Sequence, residues 1–120
     1  MAINLNIIPP QLPAGDYLAH VTDVNIIELT KAKDIAVFRL EVMTTEGLKS
    51  SAYLPFKTRH IWEQKLRNKL RAQGEPAWPL TETDANKIGA QLKKLNGLTI
   101  RISYRGFYLI PDCEIVDPQL

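Results

Sequence analysis

The apolar periodicity of this chain changes twice, and the order of those changes restricts the folds open to it. Ala36, Phe38, Leu40 and Val42 alternate with Val37, Arg39 and Glu41; Leu48, Ser50, Ala52 and Leu54 alternate with Lys49, Ser51 and Tyr53. Alternation of this kind makes strands with one buried and one wetter face. Between Thr58 and Gln73 the spacing turns helical, with Trp62, Leu66 and Leu70 on one face and Ile61 beside them. A second helical stretch, Asp84 to Leu95, aligns Ile88, Leu92 and Leu95. Leu98, Ile100 and Ile102 then return to alternation with Thr99, Arg101 and Ser103, and Arg105-Gly106 turns the chain into a last strand from Phe107 to Val116.

The boundaries have chemical causes. Gly15 opens the first strand, where Tyr17, Ala19 and Val21 share a side before the apolar phase slips by one to Val24 and Ile26. A slip within one strand marks a β-bulge; the alternative is a strand that ends near Asp23. Glu46-Gly47 supplies a turn and Pro55 ends the third strand. Thr58 is the expected cap of the first helix and Gly74 its stop. Pro76 and Pro79 hold Ala77-Trp78 in a loop, and Asn96-Gly97 ends the second helix. Trp78 is either an exposed platform or core. Residues 1–13, with Pro9, Pro10 and Pro13, form an extended arm whose Ile3, Leu5, Ile7 and Ile8 are too apolar to stand free in water. Residues 14–120 form one domain.

The resulting order, β-β-β-α-α-β-β, predicts a mainly β fold with a helical insertion: a five-stranded Greek-key OB-fold barrel, which binds oligonucleotides and oligosaccharides on the face of strands two and three and in the flanking loops. At 120 residues, 45% hydrophobic and 23% charged, such a domain needs neither disulfide nor metal to fold. The single cysteine, Cys113, excludes an internal disulfide, and no apolar run spans a bilayer. A cytoplasmic protein is expected.

Catalytic readings fail on the residues. His20 and His60 are the only histidines, and neither lies at zinc-ligand spacing from another ligand. No phosphate-cradling glycine loop and no Gly-x-Ser-x-Gly nucleophile elbow occurs. Asp112 and Glu114 read as solvated carboxylates, His20 as a surface residue and Cys113 as a buried, inert thiol. The chain is expected to be no enzyme and to use no cofactor.

The outward positions carry more. A sequence-tolerant single-strand binder needs cations along the phosphates and flat rings under the bases. Arg39, Lys49 and Tyr53 supply these on strands two and three, Lys31 and Lys33 in the loop before strand two, and Arg101, Tyr104, Arg105, Phe107 and Tyr108 on the last hairpin. Tyr104 shares the parity of Ile100 and Ile102, so it and Phe107 have core readings as well. Arg39 has a second reading in an ion pair on a wet face. Net charge is only +2, so attraction depends on where the cations sit. Lys57, Arg59, Lys65, Arg67, Lys69 and Arg71 read as the solvated arc of the first helix.

Several segments together resemble the small OB-fold single-stranded DNA-binding proteins of bacteriophages and related mobile elements. They are Leu12-Pro13-Ala14-Gly15-Asp16-Tyr17, Val37-Phe38-Arg39-Leu40-Glu41-Val42, Ile61-Trp62-Glu63-Gln64-Lys65-Leu66 and Leu95-Asn96-Gly97-Leu98-Thr99-Ile100. The resemblance implies protection of single-stranded DNA during phage replication or recombination, in a bacterial cytoplasm and as a homodimer or higher homo-oligomer, for which the N-terminal arm is a candidate contact. It departs from the family's acidic tail: Asp112, Glu114 and Asp117 belong to the last strand or follow it directly. RNA is not separable from DNA on these residues. The rival reading is a protein-interaction or structural barrel, such as a phage assembly component or an inhibitor of a host protein, working through the arm and Trp78.

Overall fold

A computed structural model describes residues 12–28, 36–106 and 112–118. Five strands make one antiparallel sheet in the order β3-β2-β1-β4-β5: β1 (Gly15–Glu28), β2 (Ala36–Thr44), β3 (Lys49–Pro55), β4 (Thr99–Tyr104) and β5 (Cys113–Ile115). The sheet curls until β5 comes within 8 Å of β3, giving a nearly closed barrel. Between β3 and β4 lie a 3-10 stretch (Phe56–Ile61), α1 (Glu63–Ala72), α2 (Ala85–Leu92) and a 3-10 turn (Lys93–Leu95). The N-terminal arm up to residue 11, the loop with Lys31 and Lys33, and the segment with Phe107, Tyr108 and Pro111 lie outside the described residues.

β1 makes the curl possible. Its first half pairs with β4 from Gly15↔Tyr104 to His20↔Thr99, and its second half pairs with β2 from Ala19↔Thr44 to Glu28↔Ala36. One strand serves two partners by bending. The bend is the bulge the apolar slip predicts: Val21 faces Val42 but Asp23 faces Glu41, so Thr22 is the extra residue. Thr22 Oγ1 donates to the Glu41 carbonyl at 3.2 Å, and the bulge reverses side-chain parity, so Val21 and Val24 both point inward.

The core joins that inner surface to the helices. Phe38, Leu40, Ala52, Leu54, Ile100 and Ile102 meet Trp62, Leu66 and Leu70 of α1 and Ile88, Leu92 and Leu95 of the second helical stretch. Trp62 stands edge-on to Phe38, with ring centroids 5.9 Å apart.

Thr58 is not the cap of α1. It lies inside the 3-10 stretch with non-helical angles, and Trp62 occupies the cap position without a side-chain cap bond. The apolar pattern sets the later start: Trp62 must reach Phe38, and its indole N–H also donates to the Pro55 carbonyl at 3.0 Å. The stop at Gly74 is as expected. Its φ is +76°, and Glu75 N–H donates to the Leu70 carbonyl while Gly74 N–H donates to that of Arg71, a Schellman closure. Asp84 caps α2 by accepting from Asn86 N–H at 2.9 Å.

Gly89 allows α2 to sit this close to the sheet. A Cβ there would lie 2.9 Å from Ile26 Cδ1 and 3.1 Å from Phe38 Cε1. The half-exposed tip of Ile26 can yield, but the fully buried ring of Phe38 cannot. Gly89→Leu is therefore expected to destabilise by about 1–3 kcal/mol despite its better helix propensity, read from the midpoint of urea unfolding.

Candidate nucleic-acid interface

Cross-strand register decides which outward side chains share a neighbourhood. Arg39 faces Tyr53 on β3 and Asn25 on β1, so these three form a row across the outer surface. The next row is Asp23, Glu41 and Ser51, and beyond the bulge comes His20, Met43 and Lys49. Arg39 and Tyr53 are half-buried, and Lys49 and Arg101 are exposed. The surface thus brings Arg39 and Tyr53 together as partners, with Lys49 four registered pairs away along β3.

Carboxylates neutralise much of this cationic display. Arg39 pairs with Glu41 at 3.5 Å, and Arg105 pairs with Glu114. Arg39 Nε is buried with no hydrogen-bond partner among the described residues. Lys49 lines a depression of about 330 Å³ with Glu41 and Asp112, whose charges make that end of β2 and β3 a poor seat for phosphate. Lys49 and Arg101 carry no ion pair among the described residues.

Tyr104 is a correction. It is only 2% exposed, inward with Ile100 and Ile102, and meets Tyr17 edge-on at 6.4 Å. Burial, then Asp112, then Tyr17 hold its phenol above the ordinary value. As folded it offers no stacking ring.

The basic arc of α1 is a second correction. Arg67 and Lys69 are buried, and Arg67 Nε donates to the Trp78 carbonyl at 2.7 Å. Arg59 donates to the Glu82 and Leu80 carbonyls and lies over the Phe56 ring at 4.8 Å. Lys65 Nζ donates to the Ile115 carbonyl at 3.1 Å. The proline-held loop folds back onto α1, and its carbonyls need donors that water no longer supplies. Trp78 itself is core, 2% exposed, with its indole N–H donating to Glu63 Oε2 at 2.6 Å. Of the arc, Lys57 and Arg71 remain exposed.

The reading of Asp112 as a solvated carboxylate also fails. Asp112 is half-buried, and its Oδ1 accepts from Ser50 Oγ at 2.9 Å and from Ser51 N–H at 2.7 Å. It fastens the lead-in to β5 onto β3, a task that no local pattern signals because its partners lie sixty residues upstream. Cys113 beside it is buried, and its thiol is pushed up to about 11, chiefly by burial and partly by Asp112, against lowering by the Ser50 hydrogen bond and Arg105. His20 is exposed, as expected, with Nδ1 3.0 Å from Thr99 Oγ1.

Below the Asp112 clamp the seam between β3 and β5 has no backbone ladder among the described residues. A pocket of about 300 Å³ opens there, between Tyr53, Arg105 and Glu114 on the sheet side and Thr58, Ile61 and Lys65 on the helical side. Among the described residues no helix is long and apolar enough to cross a membrane. No family model and no curated protein matches the chain.

Proposed function

We propose that this chain is a non-catalytic single-stranded DNA-binding protein on an OB-type barrel, with the outer face of β2 and β3 as its contact surface. The observation that carries this reading is the cross-strand pair of Arg39 and Tyr53, a cation and a ring side by side on that face. The topology supports it: β1 pairs with both β2 and β4, and β5 returns beside β3, so the five strands make a nearly closed barrel compatible with an OB-type fold. A strand would stack a base on Tyr53, and its phosphates would meet Arg39, with Arg101, Arg105 and the lysines of the β1–β2 loop extending the path. Arg39 and Arg105 exchange their carboxylate partners for phosphate on binding, so affinity is expected to be modest.

Fluorescence anisotropy with labelled oligo-dT tests this. Contact with three to five phosphates gives a log affinity against log salt slope of roughly −2 to −3.5. Arg39→Ala should make that slope shallower by about 0.7, the share of one phosphate. Tyr53→Ala should weaken binding about 10-fold and leave the slope unchanged, because a ring contributes stacking and no charge. A slope near zero for the wild type removes the proposal.

The pairing of the face cations with Glu41 and Glu114 favours a second reading, a protein-interaction barrel. Size-exclusion mass alongside the titration separates the two: oligonucleotide binding supports the first, and stable self-association without it supports the second.

A further inference from the structure

We propose that the pocket at the β3–β5 seam is a nucleobase subsite, into which one base of the bound strand turns from the Tyr53 face; this rests on the single-strand reading above. At about 300 Å³ it stands at the small end of sites that take a compact organic group (~300–1,000 Å³). One base fits; a peptide strand does not, because β3 and β5 already lie within 8 Å, leaving no room for a strand between them.

The lining matches a base. Tyr53 forms one wall and is also the ring on the outer face, so pocket and face are continuous. Ile61 gives apolar surface on the helical side, with Trp62 beside it in the lining. Ile61 is 62% exposed, the most exposed large hydrophobic side chain among the described residues, and a base entering the pocket would cover it. Thr58 and Lys65 also line the pocket, so a hydroxyl is available for the polar edge of the base and an ammonium for the phosphate that follows. Lys65 already bridges from α1 to the carbonyl of Ile115, another lining residue, at 3.1 Å, which keeps its charge at the pocket. Apolar walls with a few polar groups at the rim are what an unpaired base needs, since it has two flat faces and one polar edge.

The test is a methyl NMR titration of the wild-type protein with oligo-dT and with an oligonucleotide of equal length carrying abasic sites. With oligo-dT the Ile61 and Ile115 methyls should shift while Ile26, on the α2 side, stays in place; the abasic strand should leave all three unmoved. Thr58→Phe, which fills the mouth, should weaken oligo-dT binding about 10-fold, the worth of one stacked base, and abolish the isoleucine shifts. If that variant fails to fold, the wild-type titration decides alone. Oligo-dT binding with Ile61 and Ile115 unmoved overturns the subsite and leaves the β2–β3 face standing. Absence of any binding overturns both.

Discussion

Trp78→Ala should cost about 3–5 kcal/mol of stability, the range for losing a fully packed aromatic side chain. A small domain has only ~5–15 kcal/mol in total, so the variant should unfold at a much lower urea concentration. The indole is 2% exposed and belongs to the same core as Leu66 and Leu70. Glu63→Ala separates packing from polarity at this spot. The carboxylate is buried at 5% exposure, accepts from the Trp78 indole at 2.6 Å and lies 3.7 Å from Arg59 Nε. Its removal leaves a buried N–H without an acceptor, and about 2–3 kcal/mol should be lost. Glu63→Gln retains an acceptor oxygen and should lose less. Urea unfolding followed by far-UV circular dichroism reads all three variants, and the order Trp78→Ala, Glu63→Ala, Glu63→Gln is the expected ranking. Equal stability of Glu63→Ala and wild type would mean that water, not the carboxylate, satisfies the indole. Trp78 and Glu63 line neither the β3–β5 pocket nor the β2–β3 face, so the folded variants should bind oligo-dT as the wild type does.

The strands were legible because their information is local. Alternation in Ala36–Val42 and Leu48–Leu54 specifies inward and outward faces, and the slip from Val21 to Val24 marks the bulge, since a single extra residue must reverse parity. Glycine and aspartate did the same for the helix ends at Gly74 and Asp84. The misses share a cause, which is long-range partnering. Thr58 has the chemistry of a cap, but the reach of Trp62 to Phe38 moves the start of α1. Arg67 and Lys69 sit at positions any helical wheel would call polar, yet both are buried, Arg67 beneath the loop around Trp78. Tyr104 had both readings open, and its parity with Ile100 and Ile102 prevailed. Within the candidate site, Arg39 and Tyr53 could be named from sequence, but their ion-pair and register partners could not. Glu41 and Glu114 reduce the face's positive potential, and only the folded chain fixes which cation each one meets. The β3–β5 pocket has no sequence signature, because its walls come from the sheet and from the segment that crosses beside it.

Asp112→Ala should open the barrel seam, and Cys113 will report it. The carboxylate accepts from Ser50 Oγ and Ser51 N–H, and with those bonds gone β5 loses its direct hydrogen bonds to β3 and is held by its three-residue pairing to β4, the Lys65 bond to the Ile115 carbonyl and the packing of Cys113 and Ile115 in the core. Hydrogen bonds to a charged group are worth about 1.5–3 kcal/mol, so loss of the clamp should make local opening roughly 10- to 100-fold more frequent. Cys113 is the chain's only thiol and is buried, so the rate of its modification by a thiol reagent measures that opening directly. The same thiol predicts a pH dependence. Folding raises it from an ordinary 9.0 to about 11, so the folded state holds a proton that the unfolded chain releases. Stability from this group is complete below pH 9 and is lost as pH rises towards 11, by about 2–3 kcal/mol over the window. Tyrosines and lysines titrate in the same range, so the comparison is with Cys113→Ala, whose stability should fall less steeply between those limits. Parallel pH profiles for wild type and Cys113→Ala would show that folding does not raise this thiol, and unchanged thiol reactivity in Asp112→Ala would show that β5 does not depend on the carboxylate for its place beside β3.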